Sequence, residues 1–197
     1  VRGGGDNRVD TASTIKLSIL PEVYQLVDAG KLHWDDPIIL KASDKEGGTG
    51  IIYVLHDNLQ LTLRDTVQLM MMLSDNTATN LTLDQISSLG TNGADAVNAN
   101  LDKLGITDIR CLRKIGGGGA SKAAALPENK GFGIGVATPR AMEGLIERME
   151  RGQLVDAASS KAMIDLLKQE RDRWTIGRDD QTYDIASKSG TLGRLRS

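Results

Sequence analysis

Three short segments of the 197-residue chain carry residues whose types and spacing could do chemistry. In Ser13-Thr14-Ile15-Lys16 a hydroxyl is followed three residues later by an amine, one helical turn on and on the same face. A serine hydroxyl becomes a nucleophile only when a neighbouring base takes its proton. A lysine held among apolar groups and other cations is depressed enough to act as that base. A helix N-terminus at the serine would also favour developing negative charge. Taken alone the segment reads equally as a helix cap followed by a solvated lysine, because Ser-x-x-Lys recurs by chance.

Ser74-Asp75-Asn76 follows a Met-rich apolar run and precedes a second helical stretch. A junction of that kind can project Ser74 and Asn76 into a cleft. Ser74 could then relay a proton to a leaving group, and Asn76 could bind an amide carbonyl or orient Lys16. The alternative is an N-cap, which Ser, Asp and Asn all favour. In Lys188-Ser189-Gly190-Thr191 the glycine permits close approach of a substrate backbone. Here Lys188 would supply positive charge, Ser189 would bind a carboxylate, and the Thr191 N–H would join that of Ser13 as an oxyanion hole. Otherwise the segment is an edge lysine before a turn.

The elements that must position these groups are mostly helical. Leu17, Leu20, Tyr24 and Val27 fall at helical spacing over 14–29, with Gly30 as a stop and Pro21 inside, where a kink or break is expected. Leu59–Leu73 reads as a buried helix, with Thr62 and Asp65 spaced as a capping box and its methionines filling core. Helices are also expected over 77–89, over 94–104, from Thr138-Pro139 onward, and around Met163, Leu166 and Leu167. A strand is expected within 106–112, and Tyr183–Lys188 alternates as a half-buried strand does. Between them Gly116-Gly117-Gly118-Gly119 opens a long irregular stretch reaching Ala137. It is no P-loop, since the Lys-Ser/Thr in register is absent. The pattern implies one α+β domain over 1–197, with a helical lobe at about 31–175 and an antiparallel sheet lobe, incomplete in this chain, drawing on 1–12 and 181–197.

Composition narrows the function. Lys and Arg number 24 against 26 Asp and Glu, a net charge of −2, which argues against nucleic acid and against a polybasic membrane anchor. No apolar run approaches the roughly 20 residues of a membrane span. One cysteine, Cys111, excludes an internal disulfide, and with only His33 and His56 a histidine-rich metal site is not expected. Neither histidine is assigned a role. Hydrolytic chemistry here should use lysine or carboxylate bases. The opening VRGGGDNRVD has no apolar core or cleavage site of a secretory signal, so either export is absent or its signal lies outside this chain, and the ending after Lys188 reads as a cut.

In this order the three segments are far more specific than any one of them. Together with TASTIKLSILPEVYQLVDAGKLHWDDPI, LTLRDTVQLMMMLSDNTATNLTLD and ATPRAMEGL, the sequence resembles the class A β-lactamase-like serine hydrolases over Thr11–Thr191, apparently truncated at both ends. The resemblance implies a helical lobe packed on a sheet lobe and a β-lactam substrate. Ser13 would attack the lactam carbonyl, Lys16 would take or relay its proton, and Ser74 would protonate the departing nitrogen. Asn76 would bind the substrate's side-chain amide, Lys188, Ser189 and Thr191 would hold its carboxylate and the oxyanion, and Asn80 would stand behind them. A glutamate on the loop before Thr138-Pro139 would hydrolyse the acyl-enzyme. Glu128 is the only carboxylate between Asp108 and Glu143, but it adjoins Asn129 directly and its loop is short and glycine-rich, so it is either that base or a solvated loop acid. The resemblance further implies no cofactor or metal, a monomer, and a periplasmic or secreted location. A penicillin-binding D-alanyl-D-alanine carboxypeptidase or esterase, or a β-lactam sensor with slow deacylation, is the alternative.

Overall fold

The computed structural model describes residues 4–172, 182–192 and 195–196. Within them the order is β1 (Val9–Asp10), a 3-10 turn at Ala12–Ile15, α1 (Lys16–Asp28), β2 (Pro37–Ile39), β3 (Gln60–Thr62), α2 (Leu63–Met72), α3 (Asn76–Ser87) and α4 (Gly93–Lys103). There follow β4 (Ile109–Cys111), β5 (Gly135–Ala137), α5 (Pro139–Glu150), α6 (Ala157–Leu167), β6 (Thr191–Leu192) and β7 (Leu195–Arg196). The termini expected to build the sheet fall partly outside the described residues, at 1–3, 181, 193–194 and 197, as does the expected end of the helical lobe at 175.

The fold is α+β with small antiparallel sheets. β1 and β4 flank β5, with Val9 and Ile109 both opposite Ala137, while β2 pairs with β3 and β6 with β7. The helices form the larger part. α2 packs on α3, α3 on α4, and α6 on both α2 and α5. α1 runs through the middle, buried from Lys16 to Val23. Its core partners include Val67, Met70 and Met71 of α2 and Val97 and Leu101 of α4, so the methionine run does fill core.

Local chemistry explains most boundaries. Thr62 Oγ accepts from the Asp65 N–H at 3.1 Å while the Asp65 carboxylate accepts from the Thr62 N–H at 2.8 Å, closing the expected capping box. Consequently the helix starts at Leu63, and Gln60–Thr62, expected as helix, pairs as a strand instead. α1 is unbroken across Pro21, which sits in its second turn, where a missing N–H leaves one bond unmade without dividing the helix. β5 lies inside the stretch expected to be irregular, its three residues too few for periodicity to reveal.

One element is corrected outright. Tyr183–Lys188, expected as a strand, is irregular. Its polar groups are engaged elsewhere: the Ser187 N–H donates to the Leu167 carbonyl at the end of α6, and the side chains of Ser187 and Lys188 bond Glu170. These contacts tie the end of the segment to α6 and Glu170 rather than to a neighbouring strand.

Candidate active site

Ser13 stands on the 3-10 turn between β1 and α1. The turn is held from below: Thr11 N–H donates to the Gly135 carbonyl, and a Cβ on Gly135 would run into the side chains of Ile15 and Thr11. The residue before Ser13, Ala12, is fixed at φ +46°, a left-handed conformation that costs a non-glycine residue on the order of 1–3 kcal/mol. Asp10 accepts the Ala12 N–H at 3.2 Å and helps hold it.

Lys16 begins α1 and is fully buried. Its ammonium donates to the Ser74 carbonyl (2.7 Å), to Ser74 Oγ (3.1 Å) and to Asn76 Oδ1 (3.3 Å). Every one of these acceptors is neutral. Burial, then the nearby Lys188 charge, drives the Lys16 pKa down to about 7, against a smaller upward pull from Asp75. The Lys16 backbone N–H donates to the Ser13 carbonyl, while among the described residues no side-chain hydrogen bond joins the two, so the amine addresses the second segment.

The second segment both caps α3 and lines the cavity. Asp75 caps α3 through the Ala78 N–H at 2.8 Å, and its other oxygen takes the N–H groups of Ile51 (2.6 Å) and Ile52 (2.9 Å). Gly50 is at φ +103° against Asp75, and a Cβ there would strike the Asp75 backbone. Ser74 itself is left-handed at φ +53°. Its carbonyl is clamped by Lys16 and by Thr49 Oγ (2.8 Å). Asn76 is tied to the same loop through its amide, which donates to the Gly47 carbonyl at 2.8 Å. Asn80 stands behind the cavity wall, exchanging two hydrogen bonds with Ile115 at 3.0 and 2.9 Å.

Ser13, Ser74, Asn76, Ser189 and Thr191 all line one cavity of about 580 Å³. Lys188 is buried beside it, bonded to Glu170 Oε1 at 2.8 Å and to the Ser189 carbonyl at 2.8 Å. Glu128 is placed differently. It lies exposed on the 3-10 turn Pro127–Asn129, its backbone carbonyl accepting from Arg8 at 2.9 Å, and it does not line the cavity. Its neighbour Asn129 is buried, bonded to Arg8 and to the Ala123 carbonyl. Among the described residues no group of three or more His, Cys, Asp or Glu side chains could hold a metal ion, and no helix is long and apolar enough to cross a membrane.

A family model described as the beta-lactamase enzyme family matches residues 1–197. The chain belongs to that family. A β-lactamase from Sphaerobacter thermophilus DSM 20745 is 36% identical and superposes with a TM-score of 0.81, covering 98% of this chain and 68% of its own. A β lactamase from Xanthomonas campestris pv. campestris str. ATCC 33913 is 25% identical with a TM-score of 0.77, over 97% of this chain and 67% of its own. PBP-A, solved as a mutant in its acyl-enzyme complex with penicillin G, shares the fold at 24% identity and a TM-score of 0.77, over 97% and 66%. This member of the beta-lactamase enzyme family thus spans about two thirds of the length of these proteins. A comparison with curated proteins finds no match.

Sequence reasoning missed three contributors. Thr49 shares the acceptors of Lys16, bonding Asn76 Oδ1 at 3.1 Å as well as the Ser74 carbonyl. Ala12 is left-handed without a glycine to announce it. Glu170, in the charged run Glu170–Asp172, lines the cavity and gathers the third segment around its carboxylate. No motif spacing marks it.

Proposed function

We propose that the chain is a serine hydrolase that opens β-lactams through an acyl-enzyme on Ser13. The observation that carries this reading is the buried Lys16, with its pKa near 7 and only neutral acceptors, bonded to Ser74 beside the cavity that Ser13 lines. Neutral Lys16 takes the Ser13 proton, directly or through Ser74, as the hydroxyl oxygen attacks the lactam carbonyl. The carbonyl becomes an oxyanion facing the N–H groups of Ser13 and Thr191. When the C–N bond breaks, the proton passes from Lys16 through Ser74 to the departing nitrogen, and the acyl group stays on Ser13 as an ester. Asn76 orients the substrate's side-chain amide, with Lys188 and Ser189 at the carboxylate. The substrate class places the reaction in the periplasm or outside the cell.

Hydrolysis of the ester separates two versions of this reading. The exposed position of Glu128, away from the cavity, favours a penicillin-binding behaviour in which the acyl-enzyme persists. The experiment follows a chromogenic cephalosporin for colour release over many equivalents and intact mass over time, beside Ser13→Ala. Sustained turnover that Ser13→Ala abolishes identifies a β-lactamase, and its loss in Glu128→Gln with acylation retained would assign the deacylating base. A single burst with a lasting adduct on Ser13 identifies the penicillin-binding behaviour. No adduct at all overturns the acyl-serine reading.

A further inference from the structure

Glu170 follows the end of α6, is 3% exposed, and borders the cavity. Its carboxylate is fully engaged. Oε1 accepts from Lys188 Nζ at 2.8 Å, from the Ser189 N–H at 2.7 Å and from Ser189 Oγ at 2.9 Å, and Oε2 accepts from Ser187 Oγ at 2.8 Å. An ammonium, a hydroxyl and a backbone N–H converging on one oxygen are the donors an incoming carboxylate needs. Lys188 and Ser189 are also the residues to which the acyl-serine reading gives the substrate's carboxylate.

Most of the donors are committed. Of the three N–H groups of Lys188, one goes to Glu170 and one to the Ser189 carbonyl. The single proton of the Ser189 hydroxyl is committed to Glu170. Charge is accounted for as well, since the Lys188 and Glu170 charges cancel, and Arg171 and Asp172, which also line the cavity, are of opposite sign. Burial works to raise the Glu170 carboxyl, but the Lys188 charge and the bonds from Lys188, Ser189 and Ser187 outweigh it and hold it below the ordinary value. The occupant is therefore an anion at neutral pH.

We infer that Glu170 is a built-in occupant of the carboxylate subsite and the residue that sets the charge preference of the site. Acyl donors with no free carboxylate enter unopposed, whereas an anionic donor must first displace Glu170 from Lys188 and Ser189. This rests on the acyl-serine reading of the same cavity. The competing account is a glutamate that only neutralises a buried lysine, and it predicts no charge selectivity.

The test compares a chromogenic cephalosporin bearing its free ring carboxylate with the methyl ester of the same compound, in the wild type, Glu170→Gln and Glu170→Ala. The quantity read is the ratio of Ser13 acylation rate constants, anion over ester. It should not exceed about 1 in the wild type and should rise roughly tenfold or more in both variants as the repelling and competing carboxylate is removed. Added acetate should lower the ratio again in Glu170→Ala by refilling the vacated donors. A wild-type ratio well above 1, or a ratio that the variants leave unchanged or lower, overturns the inference. The wild-type ratio needs no variant, and thermal melts show which variants are folded at the assay temperature. Binding of the same two compounds to Ser13→Ala, with and without Glu170→Gln, is measured in parallel by calorimetry. If nothing acylates Ser13 in any of the proteins, the acyl-serine reading fails, while tighter binding of the anion alone in the double variant still upholds the role of Glu170 and its absence still refutes it.

Discussion

Two lysines are buried at this cavity and their surroundings make them different reagents. Lys16 is fully buried and Lys188 is 8% exposed, so both lose most of their hydration. Lys16 meets a carbonyl, a hydroxyl and an amide oxygen, and its pKa falls to about 7. For Lys188 burial also lowers the pKa, and the Glu170 carboxylate at 2.8 Å offsets part of that fall. The first is suited to exchanging a proton at neutral pH and the second to staying charged. Burial alone does not make a base; burial without a counter-charge does.

The largest effect expected from breaking this contrast is chemical. Lys16→Ala should slow acylation of Ser13 by roughly 10³-fold, the worth of a positioned general base. Intact-mass time courses with a chromogenic cephalosporin measure it. Its folded stability should not fall in step, because among the described residues no carboxylate pairs with the buried amine that is removed. Lys188 should behave in the opposite sense. Lys188→Met leaves Glu170 buried without its cation and should cost on the order of 3 kcal/mol in urea unfolding, much of it recovered in the Lys188→Met/Glu170→Gln double variant. Equal losses from Lys16→Ala and Lys188→Met would erase the distinction.

A finer cut converts one environment into the other. Asn76 Oδ1 lies 3.3 Å from Lys16 Nζ, so Asn76→Asp supplies the missing counter-charge at that position. If Lys16 is the base, as proposed, acylation in the wild type needs it neutral, so the rate should rise with pH through about 7 and level off above. In Asn76→Asp the Lys16 pKa should rise, the limb should move up by about one pH unit or more, and acylation at pH 7 should drop roughly tenfold. Asn76→Ala separates the charge effect from the lost amide contact, since it should lower the rate without moving the limb upward.

How much of this was legible in the sequence follows from the range of the interactions. The Thr62–Asp65 box, the helices of the middle and the three chemical segments are written over a few consecutive residues, and spacing reports them. The dual use of Ser74-Asp75-Asn76 was half legible: capping and catalysis were posed as alternatives, whereas Asp75 caps α3 while its two neighbours face the cavity. Partners distant in the chain left no local trace. Glu170 meets Lys188 across 18 residues and Thr49 meets Ser74 across 25, and no periodicity links either pair. The same range of interaction places Ser187 and Lys188, in an alternating segment that is irregular in the fold, against Glu170 and the end of α6. Glu128 shows the converse limit: elimination within a loop found the only acid available, and the fold leaves it exposed, away from Ser13.

The smallest expected effect extends the contrast along α1. Glu22, 8% exposed on that helix, also has no close ion-pair partner among the described residues, and burial pushes its carboxyl up to about 7 against weaker downward pulls from Lys103 and Lys31. Between the unfolded value of 4.5 and about 7 the folded chain holds a proton on Glu22 that the unfolded chain has released, so this group's contribution falls as pH rises through that window. Lys16 acts in the reverse sense. Between about 7 and its unfolded 10.5 the unfolded chain holds the extra proton, and stability rises with pH. The two together place a minimum near pH 7 in the part of the stability curve that belongs to α1. Glu22→Gln should remove the falling arm, so that its stability relative to wild type is greater at pH 8 than at pH 5 by on the order of 1 kcal/mol, a few degrees in the unfolding midpoint. Lys16→Met should remove the rising arm, and its advantage over wild type should shrink between pH 7 and pH 10. A Glu22→Gln difference that is flat from pH 5 to 8 would mean that the carboxylate finds a counter-charge in solution, and the rule drawn from the two lysines would then apply only at the cavity.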